Sequence, residues 1–240
     1  MTTSAPLKLL VPSGLSETAA MLRNAAAFGE GMAITSGAPD HESCMISCRG
    51  MQLKLSIAEH CDIRGFKNIF CNVDEKLIGS VISIQLGSHL KSGETVPAVV
   101  TGMLTAAVEI GQITAAFAVM WLPANTLSGF DYFARVVAEY NHDGIFPVLA
   151  LVNFKKASDG YIHSTGLNWL AGQELVVSPF HLSDSELMRR ILRVAHDLAV
   201  GGSMTSEHEL VGLESDEYII LTPQSAVRTL NMQTASISVQ

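Results

Sequence analysis

The sequence predicts an α+β fold: a mixed, largely antiparallel sheet covered by about four helices. Three observations lead there. The first half carries short apolar strands in series, residues 96–152 alternate helix and strand, and the strongest amphipathic helix comes late, at 184–200. Strands in sequence with helices gathered on one side give that class rather than a parallel α/β fold. The chain reads as a single domain, 1–240. A weak division near residue 92 is the alternative, and residues 226–240 read as a loose C-terminal tail.

Leu7–Val11 is a short apolar strand. A helix over 16–28 follows a Ser16 cap and places Met21, Leu22, Ala25 and Phe28 on one side. Cys44–Cys48 and Gln52–Ile57 are strands joined by Arg49-Gly50, a tight hairpin signal. Alternation sets Cys44, Ile46 and Cys48 on one face. Val81–Leu86 is a further strand. A helix over 96–110 starts from Thr95 with Pro97 in its first turn, where a missing N–H costs nothing.

Strand Ala115–Leu122 precedes a helix over 129–141, which starts behind Ser128 and stops before Gly144. Phe146–Val152 reads as a strand. Residues 161–167 and 174–178 read as two strands around a turn in which Trp169 packs and Gly172 takes an unusual dihedral. In the helix over 184–200, Leu187, Ile191, Val194 and Leu198 form the apolar stripe. Ser183 with Glu186 makes a capping box and Gly201-Gly202 the stop. Glu186–Arg190 and Arg193–Asp197 are spaced as pairs on its wet side. Tyr218–Thr222 is a last strand.

The 240 residues are 48% hydrophobic and 16% charged, well under the roughly 25% usual for soluble domains. Disorder is therefore excluded for most of the chain. Fifteen basic against 23 acidic residues give a net charge of −8. A general nucleic-acid or anionic-membrane binder needs the opposite sign. Arg189, Arg190 and Arg193 form the one basic cluster, flanked by Glu186 and Asp197. Val96–Leu122 is the most membrane-like stretch, but Glu109, Gln112 and Gly111 interrupt it, so it reads as a buried helix and strand. Met1–Pro12 lacks the long apolar region of a secretory signal.

Cys44, Cys48, Cys61 and Cys71 form no CxxC pair and read as reduced core thiols of a cytoplasmic protein. Glu207-His208-Glu209 is a polar turn, or a strand with His208 facing away from both glutamates, and no metal site is expected. Phosphate loop, dinucleotide, zincin and nucleophile-elbow motifs are absent, so no cofactor is expected.

The densest chemistry lies in Tyr161–Leu175. Its catalytic candidates are His163, Ser164, Thr165 and Glu174: His163 would orient a hydroxyl, with Glu174 accepting a proton or hydrogen bond. The binding candidates are Trp121, Trp169, Gly166 and Gly172. Neighbouring strand residues face opposite sides, so the competing reading is purely structural.

Thr165-Gly166-Leu167, then Gly172, then Glu174-Leu175, then an apolar helix ending in Gly201-Gly202, resembles the bacterial domain-of-unknown-function family 4261. Val81–His89 is similar to that family's early apolar strand, and Ala115–Pro123 to its segment ending in a tryptophan. Ser164 is an alternative match to the family's threonine, and Val176-Val177 stands where a second acidic residue is expected. The resemblance covers about residues 40–225. It implies a cytoplasmic bacterial protein of mixed α/β content, and no reaction, since the family has none.

Three functions follow as expectations. The first is a non-catalytic binding or regulatory protein, its apolar surface meeting another protein or a second copy. The second is an immunity or antitoxin-like protein whose acidic face meets a basic partner. The third is a hydrolase using 161–175.

Overall fold

A computed structural model describes residues 5–28, 31–39, 43–178, 182–214, 217–224 and 229–236. The chain is α+β, with largely antiparallel sheets. It divides into two compact units, Met1–Ile145 and Phe146–Gln240, so the boundary lies well beyond residue 92.

The first unit comprises β1 (Leu7–Val11), α1 (Leu15–Phe28), β2 (Met32–Gly37), β3 (Cys44–Cys48), β4 (Met51–Ala58), β5 (Lys67–Ile69), β6 (Ser80–Leu86), α2 (Pro97–Ile113), β7 (Ala118–Trp121), β8 (Thr126–Gly129) and α3 (Phe130–Asp143). Its sheet runs β2-β3-β4-β6-β1-β7-β8-β5. Every pairing is antiparallel except β5 with β8. β1 is central and buries Leu7, Leu9, Leu10 and Val11, the continuous apolar run of a strand covered on both faces. Arg49 and Gly50 turn β3 into β4 with φ of 49° and 78°, the paired positive dihedrals of a two-residue hairpin.

α1, α2 and α3 share one face of this sheet. None of the three predicted caps in this unit holds: Ser16 lies inside α1, α2 is capped by Val96 rather than Thr95, and α3 by Gly129 rather than Ser128, which is buried in β8. α2 also runs to Ile113, where the Thr114 hydroxyl closes it on the Ile110 carbonyl at 2.8 Å. Gly111 admits the Phe130 ring, which would lie 2.1 Å from any Cβ there.

On the opposite face, residues 59–79 lay Cys61, Ile63, Phe66, Cys71, Val73 and Ile78 over Leu10, Val81, Ala118, Met120 and Leu127. Gly79 ends this cover. Its N–H donates to the Val11 carbonyl at 2.9 Å, and a Cβ would fall 2.1 Å from the Pro12 carbonyl oxygen. Towards β3 and β4 the same face is mostly polar, with Met45 beside Lys54. Leu53 and Leu55 are buried under the helices while Gln52 and Lys54, which alternate with them on the other side of the strand, are exposed.

Cys44 and Cys48 are buried, Cys61 and Cys71 half-buried, and all four are free thiols. Cys48 donates to Glu109 Oε2 at 3.0 Å, and Arg49 pairs with the same carboxylate. Burial first, then that carboxylate, pushes the Cys48 thiol up to about 12.

The second unit comprises α4 (Val148–Leu151), β9 (Asn153–Lys156), β10 (Ile162–Thr165), α5 (Leu167–Ala171), β11 (Glu174–Val177), α6 (Asp184–Gly201), β12 (His208–Val211), β13 (Glu217–Gln224) and β14 (Thr229–Ser236). Its sheet runs β12-β13-β14-β11-β10-β9, with β11 and β14 parallel. The expected strand over 146–152 is instead the single helical turn α4. Pro147 fixes φ at −78° at its start, and an apolar run this short has no period to tell helix from strand.

Residues 229–236 are no loose tail. β14 is an interior strand, in register with β13 over eight residues and with β11 on its other side, and its Leu230 and Met232 are fully buried. α6 has the predicted capping box on Ser183 and Glu186. Arg190, expected on its wet side, is instead buried.

The outer strands of both sheets are short or interrupted. β2 carries a bulge between Ile34 and Ser36, β5 has three residues, β9 ends in Lys155-Lys156, and β12 has four residues including Glu209.

Candidate functional site

β10 and β11 pair through Ile162↔Val177 and His163↔Val176, and there the regular ladder stops. The Leu175 N–H donates to Ser164 Oγ at 2.7 Å, so a hydroxyl oxygen takes the place of a strand carbonyl. That hydroxyl donates in turn to Glu174 Oε2 at 2.5 Å, and Glu174 Oε1 accepts the Gly166 N–H at 2.9 Å. Gly166 at φ 97° and Gly172 at φ 76° bracket α5. Left-handed backbone at both ends of one helical turn is where glycine costs least. Glu174 thus closes the loop that carries α5.

Hydrogen bonds bring Ser164, Gly166 and Glu174 together, but the four catalytic candidates do not meet. Ser164 is buried, whereas His163 and Thr165 are exposed on the other face of β10. The base and nucleophile that hydrolysis requires are therefore held apart by the strand's two-residue period. The Ser164 hydroxyl already accepts from the Leu175 amide and spends its one proton on Glu174. Trp169 is half-buried on α5. Trp121, offered as a ligand-binding residue, is 1% exposed inside β7 of the first unit and is a core side chain.

Ser164→Ala is expected to destabilise by about 1–3 kcal/mol, because it leaves a buried amide and the Glu174 carboxylate short of a partner. His163→Ala should stay within about 0.5 kcal/mol, as exposed positions do. Urea midpoints of the two variants check both values. A larger cost at His163 than at Ser164 would reverse the assignment.

Glu207 accepts the Thr222 hydroxyl at 3.1 Å, while His208 and Glu209 alternate along β12. Among the described residues, no group of three or more His, Cys, Asp or Glu is placed to hold a metal ion. No described helix is long and apolar enough to cross a membrane.

Two clusters escape the sequence. In the second unit, Arg190 and Glu217 are 5% and 7% exposed and form a two-pronged pair, Nε–Oε1 at 2.5 Å and Nη2–Oε2 at 2.8 Å. Glu217 Oε2 also accepts the Leu213 N–H at 2.9 Å, and Arg190 Nη1 donates to the Glu186 carbonyl at 3.0 Å. The Arg190 hydrogen bond, together with backbone donors, holds the Glu217 carboxyl below the ordinary range against its burial.

In the first unit, Phe70 follows β5 at φ 49° and is 74% exposed. Its ring centroid lies 4.7 Å from that of Tyr132 on α3, tilted by 47°. Arg135, one turn further along α3, sets its guanidinium carbon 5.7 Å from the same Tyr132 ring. The Tyr132–Arg135 spacing of three is readable in the sequence; the contact with Phe70 is not. Comparison with known protein families, with curated proteins and with solved structures returns no match.

Proposed function

We propose that this is a non-catalytic binding protein that meets a protein partner at the Phe70–Tyr132–Arg135 corner. The observation that carries the reading is Phe70 itself. A bulky L-residue in the left-handed region costs about 1–2 kcal/mol, and an exposed ring returns little of that through burial. Strain of this kind persists where the surrounding structure enforces it, and it gathers at functional sites. Here the Tyr132 ring supports Phe70 and Arg135 flanks Tyr132. Aromatic residues and arginine are the side chains that dominate protein interfaces when truncated.

Phe70→Gly separates binding from stability. Glycine accepts the positive φ, so the variant should keep or raise the melting temperature. It should also lose at least one protein that the wild type retains in affinity capture. An unchanged set of retained proteins would overturn the assignment. So would a fall in melting temperature, since Phe70 would then be a packing residue.

A further inference from the structure

We infer that the uncovered half of the helix-free face of the eight-stranded sheet docks an acidic polypeptide segment. The register sets Ser56, Ser83 and Lys8 side by side across β4, β6 and β1, with Lys54 beside Gln85 one step along. Gln52 extends the patch along β4, and Ser47 and Met45 extend it onto β3 beside Gln52 and Lys54. From strand spacing and rise, Lys8 and Lys54 stand roughly 12 Å apart. Carboxylates four residues apart on an extended chain are separated by about 13–14 Å, within reach of two flexible lysine arms. The Ser56 and Ser83 hydroxyls beside the lysines can hydrogen-bond the passing backbone.

Charge selects the occupant. Neither Lys8 nor Lys54 has an ion pair among the described residues, whereas Arg49, Arg64, Lys156 and Arg190 each have a carboxylate partner. The covering segment brings Asp62 and Glu75 near the Lys8 end, where both act on Cys61, but Asp62 is held by Arg64. The Lys54 end is exposed and the less screened. In a chain of net charge −8, this is a local patch of opposite sign, and complementary charge sets the rate and specificity of such encounters. The patch carries no aromatic ring on which bases could stack, which favours a peptide over single-stranded nucleic acid.

The test uses the whole protein and a fluorescein-labelled decapeptide of alternating glutamate and serine, followed by fluorescence anisotropy. The expected result is saturable binding at low salt, weakened about tenfold at 200 mM salt, tenfold or more by K54E, and about threefold by K8Q. Phe70→Gly should bind the peptide as the wild type does, which keeps this surface separate from the corner proposed above. Absence of saturation at millimolar protein would overturn the inference, as would an affinity unchanged in K54E or an equal loss in Phe70→Gly. Tighter binding of a labelled ten-nucleotide oligothymidine, with the same dependence on Lys54, would assign the face to nucleic acid instead.

Discussion

Glu217→Ala is expected to destabilise the second unit by about 3–5 kcal/mol, the cost of leaving a buried charge without its partner. Arg190 would keep its charge and its buried place on α6, with the Glu186 carbonyl still accepting from it. The 212–217 turn would also lose the carboxylate that takes the Leu213 amide. Trp169 is the second unit's only tryptophan, so its emission during urea unfolding, in a Trp121→Phe background, reports the loss. A double replacement, Arg190→Met with Glu217→Leu, should recover most of it, since apolar pairs of similar volume often match a buried ion pair. A cost under about 1 kcal/mol for Glu217→Ala would show that water reaches the pair. The sign with pH follows from the depressed Glu217 carboxyl. Its contribution is complete above the ordinary glutamate value near 4.3 and is lost as pH falls through the lower folded value. Wild type should therefore lose more stability than Glu217→Gln between pH 5 and pH 3.

Gly79→Ala should be at least as damaging, at about 3 kcal/mol or more. The added methyl meets main chain on the far side: the Pro12 carbonyl oxygen at 2.1 Å and the Ser13 carbonyl carbon at 2.7 Å. Neither can move without carrying the end of the central strand β1, and Gly79 donates to that same strand through Val11. Gly111→Ala offers a controlled contrast, because the three atoms nearest its methyl all belong to the Phe130 ring. Overpacking of that kind costs about 1–3 kcal/mol and yields to a smaller neighbour. Phe130→Leu should rescue Gly111→Ala in part, and no single side-chain truncation should rescue Gly79→Ala. Thermal melts of the two series decide it.

What the sequence revealed depends on how local each signal was. Leu7–Val11 and Cys44–Cys48 match their strands because alternation or a solid apolar run is visible within five residues. α6 was legible end to end because its cap, stripe and stop are all its own. β14 was not, since Asn231, Gln233 and Thr234 dilute its two buried residues, and its place between β13 and β11 is a long-range fact. Arg190 misled for the same reason. Glu186 four residues back suggested a solvated pair, yet its partner is Glu217, 27 residues on, while Glu186 turns to Ser183. In 161–175 the residue types admit both a chemical and a structural reading. Strand parity placed His163 and Ser164 on opposite faces, as the local rule requires.

The outer strands have a consequence for behaviour at high concentration. Cross-β growth needs a long, flat, unbroken edge on which the next molecule can lay a strand. Three residues at β5, four at β9 and β12, and a bulge in β2 give a newcomer almost no run of amides to register against. Lysines at β9 and a glutamate at β12 repel an identical strand arriving at the same edge. Strand-by-strand growth from these four edges is therefore disfavoured when the chain is crowded.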